Sequence, residues 1–130
     1  MDKLPNEILT ELKTYLIFKP KSKKELKEAV DLWCEDKEEA LSRYSHISLW
    51  DTSLITNMGN LFRDKKNFND NINNWNVSNV TNMENMFHNA FSFNKPLNKW
   101  DVSNVTDMSY MFDRASSFNQ PLNLWDVSSV

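Results

Sequence analysis

Asp51, Asn76, Asp101 and Asp126 each follow a tryptophan, and each precedes by two residues a serine: Ser53, Ser78, Ser103 and Ser128. Each of these positions recurs after 25 residues. A regular row of carboxylates and hydroxyls suggests three chemistries: cation coordination, nucleophilic catalysis, or recognition of a partner that offers hydrogen-bond donors. Ca²⁺ takes six or more oxygens converging at about 2.3–2.6 Å, whereas stacked residues stand about 4.8 Å apart and diverge. One member of the row is Asn, which weakens a cation site further. The serines have no matching row of histidines, and an enzyme needs one converging constellation where a repeat offers the same residues over and over. Neither catalysis nor a cofactor is expected. Turn capping on a solvated face and contact with a protein partner both stay open.

The remaining reactive residues are isolated. His46 and His88 lack Cys or carboxylate neighbours at metal-ligand spacing, so no metal is expected. Cys34, beside Trp33, is expected to be a buried thiol. One glycine, Gly59, cannot make a phosphate-binding loop. Asn76, Asn79 and Asn104 open N-glycosylation sequons, but these fall out of the repeat, and bonding of Asn and Thr to backbone explains them better. Asn69, Asn94 and Asn119 each follow a core phenylalanine and are expected to form a stacked amide ladder over buried turn backbone.

The elements that position these residues follow from the period. Units begin at Trp50, Trp75, Trp100 and Trp125. Met58, Met83 and Met108 match, as do Leu61–Phe62, Met86–Phe87 and Met111–Phe112, and then Phe68, Phe93 and Phe118. A fixed period of 20–50 residues marks a stacked array. Trp100 and Val102 alternate around Asp101, which predicts a strand with one buried face, and Met108, Met111 and Phe112 have the spacing of a short helical turn. The asparagines stand in for glycine at left-handed turn positions. One coil cannot bury its own core; stacking does it.

The text WDVSNVTDMSYMFDRASSFNQPLNLWDVS resembles the BspA-like leucine-rich-repeat proteins, in the 25-residue variant of mycoplasma-type surface lipoproteins. The resemblance covers about residues 47–130. It implies an α/β repeat solenoid: leucine-rich-repeat-like right-handed coils with short parallel strands on one face, used for binding proteins or surfaces. It carries no catalytic residues. The first unit departs from the pattern, with Thr52, Leu54 and Ile55 where later units have Val, Asn and Val, and Asn71 in place of Pro96 and Pro121.

Residues 1–48 are expected to form a helical N-terminal cap ahead of the repeats at 49–130. Ser22–Glu25 has the pattern of a capping box, opening a helix with Leu26, Ala29, Val30 and Trp33 on one face. A second helix near Asp36–Tyr44 offers Ala40, Leu41 and Tyr44, and Pro5–Leu16 has helical spacing of its own. Leu4–Leu9 also resembles the opening of an F-box, which implies an intracellular adaptor as an alternative; that match stops near Leu16.

The bulk numbers bound the class. The 130 residues carry 40% hydrophobic and 25% charged residues and a net charge of −3, which describes one globular domain with no basic face for nucleic acid. One cysteine allows no internal disulfide. No apolar run reaches the roughly 20 residues of a membrane span, and the start lacks the features of a signal peptide. As written the chain is expected to stay in the cytoplasm, while the resemblance points to the cell surface for some relatives. The expected role is a non-enzymatic module binding a protein partner through Asp51, Ser53, Asn76, Ser78, Asp101, Ser103 and Asp126, with the variable positions Asn74 and Lys99 beside them. A third expectation is a homo-oligomer pairing through the open end at Trp125–Val130.

Overall fold

The computed structural model describes Pro5, Asn6 and residues 17–130 of the chain. The F-box-like stretch and the helix expected over 5–16 therefore lie outside the described residues, apart from Pro5 and Asn6.

Two α-helices come first. α1, Lys23–Glu35, opens on Ser22, whose hydroxyl accepts from the Glu25 N–H at 3.1 Å. The Glu25 carboxylate reaches back to the Lys21 N–H at 3.2 Å, one residue beyond the N-cap N–H that a reciprocal capping box would use. Such a cap stabilises a helix by about 1 kcal/mol. Leu26, Ala29, Val30 and Trp33 are the buried face, as their spacing predicts. Asp36 ends α1 and starts α2 (Lys37–Tyr44): its N–H donates to the Leu32 carbonyl and its side chain accepts from Glu39 N–H. Only Ala40 of α2 is buried, and the expected core residue Leu41 is exposed. Ser45, at φ 65°, breaks the helix, and a 3₁₀ turn at Ile47–Leu49 leads into Trp50.

From Trp50 onward the described residues contain no strand and no sheet, only isolated parallel bridges at Asn57–Asn82 and Asn82–Asp107. This overturns the expected leucine-rich-repeat-like α/β solenoid with parallel strands. The helical turn expected at Met108–Phe112 is also absent. The cause is how each unit divides its backbone donors. Met58, Asn60, Phe62 and Asp64 donate to the carbonyls of Asn82, Glu84, Met86 and His88 in the next unit, at 2.8–2.9 Å. Of the residues that alternate with them, Leu61, Arg63 and Lys65 donate three residues back within their own unit, at 3.1–3.3 Å, and Gly59 donates to Asn57 Oδ1 at 2.8 Å. A helix would spend successive N–H groups on carbonyls four residues back, and a parallel strand would exchange bonds with its neighbour in both directions. Here alternate donors all point one way and the others close tight turns, so neither element forms.

The direction reverses just before this run. Thr81 N–H donates back to the Thr56 carbonyl and Thr106 N–H to Thr81, both at 2.8 Å. Bonds of both directions meet only around Asn57, Asn82 and Asp107, which is why each bridge stands alone. The turns use left-handed backbone at Asn60, Asn85 and Asn89, as the asparagine content predicts, but also at Asp64, Tyr110 and Arg114. The single glycine takes none of these positions.

Side chains of like position stack. Phe62, Phe87 and Phe112 form a column with ring centroids 5.4 and 5.5 Å apart, and Phe68, Phe93 and Phe118 a second with 5.6 and 5.8 Å. The two columns touch within each unit at 4.3–4.5 Å. Each tryptophan also ties down the chain before it. The indole N–H of Trp75, Trp100 and Trp125 donates to the carbonyl 28 residues earlier, at 2.8, 2.9 and 2.9 Å. Tryptophan therefore fills the core and satisfies a buried carbonyl at once.

Candidate recognition face

The Asp/Asn row and the serine row meet in one local motif. The side-chain oxygen of Asp51, Asn76, Asp101 and Asp126 accepts the N–H of the serine two residues on, at 3.0–3.1 Å. The Ser78 and Ser103 hydroxyls add bonds of 2.6 Å to the same oxygens. This Asx turn follows from sequence: a short polar side chain hydrogen-bonds its own backbone two residues ahead and turns the chain. The hydrogen bonds from Ser53, Ser103 and Ser128 hold the carboxyls of Asp51, Asp101 and Asp126 below the usual aspartate range. Asp51 also lies 3.8 Å from the Lys19 ammonium. Asp101 and Asp126 are close enough for their charges to act on each other.

The structure brings the variable positions to the same edge. Lys99 N–H donates to Asn73 Oδ1 at 3.1 Å, and its ammonium reaches Asn74 Oδ1 at 3.4 Å. Asn74 and Lys99 thus flank the buried tryptophans on one side, with Asn76 and Asp101 on the other. Asn74, Asn76, Lys99, Asp101 and Asp126 are exposed; Asp51, Ser53, Ser78 and Ser103 are half-buried. Beside them Asn79 Nδ2 donates to the Ser53 carbonyl and Asn104 Nδ2 to Ser78, both at 2.8 Å. These sequon asparagines clasp one unit to the next. Thr81 and Thr106 hydroxyls do the same toward the threonine carbonyl of the preceding unit, at 3.3 and 3.1 Å.

The amide ladder forms, but on an exposed edge. Asn69 Oδ1 accepts the Asn94 N–H and Asn94 Oδ1 the Asn119 N–H, each at 2.9 Å.

A different concavity lies between α1 and the first unit. It measures about 550 Å³ and is lined by residues that include Trp33, Cys34, Lys37, Lys66, Phe68 and Asp70. Asp70 Oδ2 accepts both the Trp33 indole N–H (2.9 Å) and the Lys37 ammonium (3.2 Å). Asp31 pairs with Lys27 and Lys65, both at 2.8 Å. Burial alone would raise the Asp31 carboxyl, but hydrogen bonds from the two lysines bring it below its ordinary value. Cys34 is exposed rather than buried as expected, because its side chain lies on the rim of this cleft. The surrounding protein still desolvates the thiol and pushes it up to about 11, away from a reactive thiolate. No group of three or more His, Cys, Asp or Glu able to hold a metal occurs among the described residues. No helix among them is long and apolar enough to cross a membrane.

The sequence did not signal this cleft through any motif. Its signal was the first unit's departure from the repeat: Lys65 stands where Ala90 and Ala115 recur, and Asp70 where Lys95 and Gln120 stand.

A family model described as a Mycoplasma protein of unknown function, DUF285, matches residues 34–130. The chain belongs to this family. The DUF285 match takes in the end of α1, all of α2 and every repeat unit, and it does not extend to BspA-like leucine-rich-repeat membership. No curated protein and no solved structure matches the chain.

Proposed function

We propose that this DUF285 chain is a non-enzymatic recognition module that binds a protein partner along the edge formed by Asn74, Asn76, Lys99, Asp101 and Asp126. The observation that carries this reading is the recurring Asx turn. At Asp101 and Asp126 the turn ties one carboxylate oxygen to serine and leaves the other available, and at Asn76 it ties the amide oxygen, so the row is fixed before a partner arrives and loses little freedom on binding. Carboxylates held ionised at regular spacing suit a partner segment that presents lysine, arginine or amide donors. Resemblance of the repeat text to mycoplasma-type surface lipoproteins supports a setting in which such contacts are made between proteins at a surface.

The test is binding of the full chain to an array of basic and neutral peptides, repeated with Asp101→Asn/Asp126→Asn. Both side chains are exposed and Asn keeps the turn, so the fold is expected to survive. Basic peptides whose binding falls at least about tenfold in the variant, with steep salt dependence, support the proposal. Binders indifferent to the variant and to salt would move the binding surface elsewhere.

A further inference from the structure

The edge that carries the Asx turns changes in character from the first unit to the third. Shared hydrogen bonds fix which positions correspond. The Ile47 carbonyl accepts the Trp50 N–H and the Trp75 indole, just as the Ile72 carbonyl accepts the Trp75 N–H and the Trp100 indole. Leu49 therefore holds the place of Asn74 and Lys99. Ile55, Val80 and Val105 each donate three residues back, to Thr52, Val77 and Val102, which puts Leu54 in the place of Asn79 and Asn104. Leu49 is 60% exposed and Leu54 51%.

An exposed leucine taken singly means little. Here two of them flank one Asx turn, that of Asp51, at positions where later units carry polar side chains. Asn79 and Asn104 each clasp the serine carbonyl of the preceding unit. The first unit follows the helices and not another unit, so residue 54 is released from that task. The charge changes along the same row. The Lys19 ammonium, 3.8 Å away, offsets Asp51, and Asn76 carries no charge. Lys99 reaches back to Asn74, and the charge that acts on Asp101 is that of Asp126, of like sign. The edge thus passes from apolar and charge-balanced at the first unit to acidic at the third.

We infer that this edge takes an extended protein segment laid along the stack, with an apolar residue against Leu49 and Leu54 and a lysine or arginine against Asp101. The inference rests on the recognition reading above and adds the partner's composition and register. Neighbouring units stand 5.4 and 5.5 Å apart along the phenylalanine column. An extended chain advances about 3.3 Å per residue, so the apolar and basic residues of the partner stand about three residues apart. The two ends contribute differently. Burial of leucine surface is insensitive to salt, whereas the contact with Asp101 is screened by it. A uniformly basic segment would leave the leucines in water and meet Lys19 and Lys99. A uniformly apolar one would desolvate Asp101 without a partner.

The experiment measures binding of the full 130-residue chain to labelled Gly–Ser peptides, by anisotropy. One set carries a leucine pair and an arginine pair centred about three residues apart, in both sequence orders; the controls carry the arginine pair alone, or the two pairs about eight residues apart. The expected result is tightest binding by a matched peptide. Leu49→Ser/Leu54→Ser should weaken that peptide at least about fivefold and leave the arginine-only control unchanged, while Asp101→Asn weakens both. Arginine-only peptides that bind as tightly as matched ones, with no effect of the leucine double variant, would overturn this inference and leave the recognition reading standing. Failure of every basic peptide to bind would remove the recognition reading and this inference with it. A lower urea midpoint in the leucine double variant would also overturn the inference, by showing that the chain itself covers these side chains.

Discussion

The second unit and the third carry nearly the same apolar text and live in different surroundings. Phe87 has a ring on each side, at 5.4 and 5.5 Å, and is fully buried; Phe112 has one at 5.5 Å and is half-buried. Met83 is fully buried, and Met108, its repeat mate, is not. The same residue therefore contributes differently according to whether a unit lies on both sides of it. This is the energetics of a stacked array, in which the interface between neighbours and not the unit itself supplies most of the stability.

The largest expected effect breaks that contrast directly. Phe87→Ala removes the middle ring of a fully packed column and is expected to cost about 3–5 kcal/mol in urea denaturation. Phe112→Ala should cost less than half as much, since part of the ring is already in water. Equal losses would mean that the end unit is as tightly held as the middle one, and that stacking does not grade stability along the chain.

The seam between α1 and the first unit sharpens the comparison from the other side. Trp33→Phe keeps an aromatic ring but removes the N–H held by Asp70 at 2.9 Å, and is expected to cost about 1–3 kcal/mol because a buried side chain loses volume and the Asp70 carboxylate is left with Lys37 alone. Lys65→Ala, which restores the residue found in later units, is expected to cost less, about 1 kcal/mol, because Asp31 keeps Lys27 as a partner at 2.8 Å. Both are read by the same denaturation experiment. If Lys65→Ala proved stabilising, the first unit's departure from the repeat would have some cause other than fastening the helix.

These residues also show how far sequence reasoning reaches. The period, the core columns, α1 with its buried face and the serine cap were legible because each depends on spacing alone, and stacking at a fixed period leaves no freedom in which residues meet. The backbone was not legible. Trp100–Val102 alternates and Met108–Phe112 has helical spacing, yet both belong to turns, because hydrogen bonds to a neighbouring unit decide the conformation and no local pattern encodes them. The Asx turns were one of two open alternatives for the Asp and Ser rows, and their geometry now shows a single oxygen doing the capping. Cys34 failed for a related reason: its helix face points inward at Trp33, but the first unit stops short of it and leaves a cleft.

The smallest effect concerns the Asx turns themselves. Hydrogen bonds from Ser53, Ser103 and Ser128 lower the pKa of Asp51, Asp101 and Asp126 in the folded chain. A carboxyl with a depressed folded value contributes stability above its unfolded value of about 3.9, and that contribution is lost as pH falls through the lower folded values. Asp101 and Asp126 are open to water and Asp51 is half-buried, so the change is expected to be slight in denaturation and plain in a carboxyl ¹³C titration. Ser103→Ala should move Asp101 upward toward its ordinary value while leaving Asp51 in place, since the turns are separate and Asp51 has Lys19 besides. If Asp101 did not move, the residue-103 N–H and not the hydroxyl would be holding its ionisation, since the charge of Asp126 acts in the opposite direction. The edge would then be fixed by its backbone turns alone, and the serine hydroxyls would be free to bond a partner.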